Sequence, residues 1–379
     1  MRLTCALALA LVPAWAYLAA ATAASLRFAR RDPEAAPQSP PVSVLKPLYG
    51  AEPGLYENLR SAAEQDYPAH QLVLGVADRQ DGAIPVARAL IGDLPDSDIT
   101  LAIESRRHGS NAKVSNLQNM LPAARHDILV IADSDIRVGR GYLAAVVAAL
   151  STPRTGLVTC LYRGVPENGL WSQLGALFIN FGFLPAALLA EALGAGKGCF
   201  GATIALRRSV LERCGGFLRL RDELADDYRI GEAVRELGLE VVLSRYLVDT
   251  RVHEPGFIAL WRHELRWART ERTVAPVGFS ASLLSHSVAI GALAAAATGF
   301  ALTSSLFLVI SCVLRWGSAR VIADALGLRP AKPWLLAVRD ALSFAVYIAS
   351  FCGRSVVWRD EAFRVAASGR MTVEGDKAR

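Results

Sequence analysis

Asp133 and Asp135 stand two positions apart with only Ser134 between them. Two carboxylates at that spacing suit a hard divalent cation, Mg²⁺ or Mn²⁺, which takes oxygen ligands and keeps room for phosphate oxygens. A nucleoside diphosphate leaving group needs such charge neutralisation as its bond breaks. Further along, Asp226 and Asp227 stand just before a helix. Acids at a helix start are ordinarily caps or dipole partners, but in a transferase one of them serves as the base that deprotonates an acceptor hydroxyl. Between the two pairs, Gly109-Ser110-Asn111 leads into Lys113 and a helix. Turn amides, a helix amino terminus and an ammonium together attract phosphate or ribose; read alone, the stretch is an ordinary loop and N-cap.

These residues need elements to bring them together. "ILVIA" (128–132) is an unbroken apolar run, as expected of a strand buried on both faces. It belongs to an alternation of strands (42–48, 72–78, 99–105, 128–133) and helices (55–66, 84–94, 115–124) that predicts an α/β domain with a mostly parallel sheet. Right-handed crossovers place the carboxyl ends of such strands on one edge, where ligands of open α/β sheets bind. Lys46, Asp78, Asp133 and Asp135 are therefore expected on a single rim. A bare Asp-x-Asp arises often by chance; its place at the end of the fourth strand gives it weight. "GKGCFGATIALRRSVLERCGGF" (196–217) adds five glycines, which permit close approach of backbone to a ligand, or simply make turns.

The whole chain has 379 residues, is 53% hydrophobic and carries a formal charge of +6. Its mean hydropathy of +0.30 is high for a soluble enzyme. Residues 3–26 carry no charge over 24 positions, long enough to cross a bilayer. They are read as an uncleaved amino-terminal anchor (1–27) in preference to a cleaved signal peptide. Arg27, Arg30 and Arg31 follow, which keeps the next domain cytoplasmic. Residues 171–194 read as a helix half-sunk in the interface or buried in a core. Residues 256–280 contain an Arg- and Trp-rich amphipathic helix suited to the membrane surface, where an arginine beside tryptophan can also grip a diphosphate. Residues 281–322 read as a transmembrane hairpin, 333–353 as a transmembrane or re-entrant helix and 354–379 as a tail. Arg339 and Asp340 lie inside the 333–353 helix and must face protein or a polar cavity. The basic residues form no interleaved basic-aromatic patch, so attraction to an anionic leaflet explains the charge better than nucleic acid does. The six cysteines show no CxxC spacing and predict neither a disulfide framework nor a zinc site.

The ordered set "VSVLKPL", "GVADRQDGAI", "SNAKVSNL", "IADSDIRV", "LADDYRIGEA" and "HELRW" resembles the GT-A glycosyltransferases of family 2, and more closely those of family 21, the ceramide glucosyltransferases. Within them it is most similar to the bacterial hopanoid-biosynthesis-associated group. The resemblance spans about residues 40–365. It implies a cytoplasmic GT-A domain over 40–255 and a UDP-sugar donor. Asp78 would lie on its uracil and ribose side, with Lys46 and Lys113 also on the nucleotide sugar. Asp133 and Asp135 would hold the metal and diphosphate, and Asp227 would be the base. Arg266 and Trp267 match the end of the "(Q/R)xxRW" motif, with His263 where Gln or Arg is usual. Leu184-Pro185 stands where animal ceramide enzymes have His-Pro.

The expectation is an inverting, membrane-embedded glycosyltransferase of the bacterial inner membrane, needing a divalent cation. It would move N-acetylglucosamine from a UDP-sugar to a hopanoid polyol such as bacteriohopanetetrol. Glucose transfer to ceramide is the alternative. A polysaccharide synthase would need more spans to line a channel. A catalytically dead scaffold would have no reason to keep the acidic sites together.

Overall fold

The computed structural model describes residues 2–31, 39–196, 198–353, 355–358, 361–365 and 371–373, with side chains over 11–31, 39–196 and 198–353. Lys197 in the glycine-rich stretch, and Arg359 and Asp360 in the tail, lie outside the described residues. The chain divides into two compact units. One comprises 32–165, 197–251 and 358–379; the other comprises 1–31, 166–196 and 252–357.

In chain order the elements begin with α1 (Arg2–Ala29), then β1 (Val42–Pro47), α2 (Leu55–Ala63), β2 (His70–Val76), α3 (Ala83–Asp93), β3 (Ile99–Ile103), α4 (Ala112–Met120), β4 (Ile128–Ile131), β5 (Ile136–Arg137), α5 (Tyr142–Ala149), β6 (Thr155–Thr159) and β7 (Tyr162–Pro166). After α6 (Leu170–Phe178) and α7 (Leu184–Ala192) come β8 (Ile204–Arg207), α8 (Arg208–Arg213), α9 (Asp226–Glu236), β9 (Glu240–Leu243) and β10 (Val248–Val252).

A seven-stranded sheet in the order β3-β2-β1-β4-β8-β6-β9 forms the first unit. The pairs β3-β2, β2-β1 and β1-β4 are parallel; β8 runs antiparallel to both β4 and β6. Every residue of β1 and β4 is buried, which is why β4 reads as an apolar run rather than an alternation; β1 buries Ser43 and Lys46 too, each hydrogen-bonded. Their alternate side chains feed two cores. Val42, Val44, Leu72 and Leu74 pack with α2, α3 and α5. Leu45, Val73, Leu129 and Ile131 pack with α4, α8 and α9. With both faces covered, the carboxyl edge is where the sheet meets solvent, and the predicted rim is there. A small second sheet, β5-β10-β7, lies beyond the tip of β4, with Thr250 opposite Ile136 and Asp249 opposite Arg137.

The second unit is helical. It holds α1, α6 and α7, and then α10 (Phe257–Val274), α11 (Pro276–Ala281), α12 (Ser287–Ala297), α13 (Leu302–Leu326) and α14 (Pro333–Ser350). β11 (Ser355–Trp358), β12 (Glu361–Val365) and β13 (Met371–Val373) follow. Among the described residues, Leu170–Ala192 and Leu302–Leu326 are long and apolar enough to cross a membrane, which marks the chain as a membrane protein. The sequence predicts an interface or core helix at 171–194. There α6 and α7 join through a π turn, Ile179–Phe183, into one helical stretch of spanning length packed against α1. The stretch expected as a hairpin, 281–322, carries α12 and most of α13. Its first arm is broken at His286 into Pro276–Ser285 and Ser287–Ala297, bent by 62°.

Arg339 and Asp340 are both answered by protein. Arg339 donates to Glu264 of α10 at 2.6 and 2.7 Å, and Arg315 of α13 donates to Asp340 at 2.9 Å. Neighbours on one helix thus tie α14 to two others.

Candidate active site

The tip of β4 runs into Asp133-Ser134-Asp135, and the loop is held from below. Lys46, at the end of β1, is 1% exposed and donates to the carbonyl oxygens of Asp133 at 2.7 Å and Ile136 at 3.0 Å. Burial brings its ammonium down to about 8, against the pull of Asp135, Asp133 and Glu52. The sequence predicts Lys46 on the nucleotide sugar. In the structure its ammonium braces the loop through these two backbone carbonyls.

Asp135 is clamped from the small sheet. Thr250 Oγ1 donates to its carboxylate at 2.5 Å, and the Arg251 N–H to its carbonyl at 3.1 Å. Burial raises the Asp135 carboxyl, and the neighbouring Asp133 charge raises it further.

Lys113, in the first turn of α4, lies 2.6 Å from Asp133 and 3.9 Å from Asp226. Burial would lower its ammonium, but Asp133 and Asp226 outweigh that and raise it. Asn111 caps α4, accepting the Val114 N–H at 3.0 Å, and its amide donates to the Glu223 carbonyl and the Asp226 carboxylate. The cap therefore anchors the start of α9 as well.

Asp227 opens α9. It accepts the Gly201 N–H at 3.0 Å and the Tyr228 N–H at 2.8 Å. Burial, with the Asp226 charge added, pushes its carboxyl up to about 6. Gly201 marks the meeting point. A Cβ there would come within 3.3 Å of Asp227 Oδ2 and 3.4 Å of both Asp133 Oδ2 and Lys113 Nζ. Three charged groups drawn from three stretches of chain thus converge on a position that has no side chain.

Asp78 follows β2 on the same edge. It is exposed, and its carboxylate caps the next turn by accepting the Gln80 N–H at 2.8 Å. Gly201 and Thr250 come to this cluster without having been singled out by motif spacing. The glycine-rich stretch was the one signal that pointed towards Gly201.

Among the described residues no group of three or more His, Cys, Asp or Glu side chains gathers as a metal site. Asp133 and Asp135 remain a two-carboxylate set. They fit a divalent cation completed by diphosphate oxygens and water. Their mutual charge raises Asp135, and Asp133 already holds one cation, the Lys113 ammonium.

The motif residues His263, Arg266 and Trp267 lie on α10 in the helical unit. His263 Nδ1 is 2.7 Å from Glu254 Oε1, and its ring meets Trp267 edge-on at 4.2 Å. Trp267 lies against Phe178 of α6.

The chain is 23% identical to ceramide glucosyltransferase 1 of Caenorhabditis elegans over 344 residues, covering 88% of this chain and 74% of that enzyme. It is 36% identical over 120 residues to the ceramide glucosyltransferase of Komagataella phaffii, which covers 30% of this chain and 23% of that enzyme. Among solved structures, a Pyrobaculum calidifontis mannosyltransferase in complex with GDP-Man and Mn²⁺ superposes with a TM-score of 0.53 at 20% identity. That superposition covers 91% of this chain and 99% of the mannosyltransferase, and identifies the fold as GT-A-like. The profile of "Glycosyl transferase family 21" matches residues 6–371. The chain is a glycosyltransferase and belongs to family 21.

Proposed function

We propose that the enzyme transfers a sugar from a UDP-sugar to a lipid hydroxyl with inversion at the anomeric carbon. The observation that carries this is Asp227. A buried carboxyl brought to about 6 is a base matched to neutral pH, and it sits beside the Lys113-Asp133 pair at the carboxyl edge of the sheet. Asp227 accepts the proton of the acceptor hydroxyl as that oxygen attacks the sugar. Gly201, lacking a side chain, leaves room at that point. Asp226 and Asn111 hold Lys113 and the α4 terminus in register, and Lys46 fixes the Asp133 loop.

Asp133 and Asp135 would hold a divalent cation, as the Mn²⁺ in the mannosyltransferase complex favours. When bound, it supplies charge neutralisation for the departing UDP. Lys113 shares that task, and Asp78 takes the nucleoside side. Arg266 and Trp267 contribute the diphosphate grip and platform that the RW motif implies. The acceptor is a lipid, in keeping with the two helices of spanning length and with the ceramide-directed relatives. Arg27, Arg30 and Arg31 after α1 favour a cytoplasmic catalytic face on a bacterial inner membrane.

The specific reading is N-acetylglucosamine transfer to a hopanoid polyol, carried by the sequence resemblance to that group. The alternative, glucose transfer to ceramide, is favoured by the curated relatives, which are ceramide glucosyltransferases. Incubating membranes that contain the protein with labelled UDP-N-acetylglucosamine and UDP-glucose, each with hopanoid and ceramide lipids, tests both. Mass spectrometry of the glycolipid identifies sugar and acceptor together. No labelled lipid from any combination would reject the reading.

A further inference from the structure

The sequence places a histidine where the RW motif has Gln or Arg, and the structure supplies a partner for it. Glu254 precedes α10 and its side chain is 7% exposed, whereas that of His263 is 36% exposed. The Glu254 N–H donates to Ser172 Oγ of α6 at 3.0 Å. Gly175, one turn on, lets the backbone pack closely beside this segment; a Cβ there would meet Val252 at 2.9 Å and Leu260 at 3.3 Å. A buried carboxylate is costly unless something bonds it. Here the bond goes to one ring nitrogen of His263, at 2.7 Å.

A carboxylate accepts, so Nδ1 carries the hydrogen and Nε2 of the neutral ring is left as a lone-pair acceptor. Trp267, four residues on and on the same helical face, holds the ring edge-on at 4.2 Å. Among the described residues Nε2 has no hydrogen-bond partner. Nδ1 is tied, the ring plane is fixed, and one acceptor atom is displayed beside the motif tryptophan. A glutamine at this position could offer the same kind of acceptor through its carbonyl oxygen. An arginine could not, because it only donates.

We propose that Glu254 is a positioning residue that sets His263 Nε2 as a hydrogen-bond acceptor for a substrate hydroxyl, and so makes His263 a functional stand-in for glutamine. This rests on the transferase reading above. The hydroxyl belongs either to the sugar nucleotide or to the lipid acceptor, and kinetics separates the two.

The test uses the full-length protein in detergent, with KM for each substrate and kcat measured separately for wild type, H263Q, H263R, E254Q and E254Q/H263Q. Circular dichroism confirms that each variant is folded, and E254Q is close to isosteric. H263Q is expected to stay within about threefold of wild type, while H263R raises one KM by about tenfold or more, the scale of a lost substrate hydrogen bond. E254Q, whose amide can donate to Nδ1 and so reverse the tautomer, raises that same KM by about tenfold in the His263 background and less than about twofold in the H263Q background. The substrate whose KM moves identifies the source of the hydroxyl. Equal cost of E254Q in both backgrounds, an H263R enzyme that matches wild type, or a fall in kcat with both KM values unchanged would overturn the inference. Calorimetric binding of the UDP-sugar and of the lipid reads the same cycle without turnover. A wild type that neither binds nor turns over any UDP-sugar rejects the transferase reading itself; one that does, with additive variants, rejects only the role of Glu254.

Discussion

Both units of this protein bury charge, and they do so in opposite ways. In the helical unit two buried ion pairs are matched one to one. Arg339 and Glu264, 1% and 4% exposed, form a two-pronged pair, and Arg315 and Asp340 form another. Among the described residues of the sheet unit, four aspartates (Asp133, Asp135, Asp226 and Asp227) share two lysines, and one of those lysines bonds two backbone carbonyls. The carboxyls of Asp135, Asp226 and Asp227 are all raised, chiefly by burial, with neighbouring aspartates adding to the rise and the lysines opposing it. Matched pairs join helices and need nothing more. An acidic cluster with too few cations is poised for one that arrives with the substrate, and for a proton that leaves an acceptor. Surplus negative charge of this kind marks functional sites more often than structural ones.

The comparison breaks most sharply if the unmatched cluster proves dispensable. Asp227→Asn should lower transfer by about 10²–10⁴-fold, the usual contribution of a general base, with the fold unchanged by circular dichroism. An Asp227→Asn enzyme of full activity would remove the base from this site. On the matched side, Arg339→Met leaves Glu264 buried without its partner and should cost about 3–5 kcal/mol. Adding Glu264→Leu should recover most of that loss in thermal melts in detergent. If the double variant is no better than the single one, the pair does more than cancel charge.

The pH dependence sharpens the contrast. Asp227 is raised to about 6, so it is ionised and competent above that pH and protonated below it. Transfer should therefore fall by about tenfold for each pH unit below about 6, as expected when a single base is lost. The same raised value means that ionising Asp227 costs folding stability as pH rises through about 6, while protonation relieves that cost. Activity and local stability should thus move in opposite directions across this window. A flat rate between pH 5 and 7 would place the working base elsewhere. The smallest effect is expected at Gly201. A methyl group 3.3–3.4 Å from Asp227, Asp133 and Lys113 forces those side chains to give slightly. Gly201→Ala should cost about tenfold in kcat with little change in melting temperature.

Much of the rim was legible from local pattern alone. The apolar run of β4 ending at Asp133, the Asn111-Lys113 turn and the Asp226-Asp227 helix start are features of short stretches, and each lies where the pattern placed it. What the sequence hid was pairing over long separations. Asp135 with Thr250, Asn111 with Asp226 and Lys113 with Asp133 depend on which loops meet, and no spacing encodes that. The bracing of the Asp133 loop by Lys46 was hidden too, because a lysine at a strand end reads as a phosphate contact and only its burial and carbonyl partners show the strut. The 171–194 stretch reads as an interface or a core helix because it is apolar with a single formal charge, Glu191, a pattern shared by core, interface and span. The partners of Arg339 and Asp340 come from α10 and α13, 75 and 25 positions away, so the sequence announced the need for partners but not their identity.

Binding of UDP to the full-length protein, measured by calorimetry with Mn²⁺ and again in excess chelator, tests most directly whether the acidic surplus awaits a cation. The expected result is that wild type loses at least about tenfold in affinity when the cation is removed, while Asp133→Asn/Asp135→Asn binds with the same reduced affinity in both conditions. UDP bound equally well by wild type with and without divalent cation would contradict it.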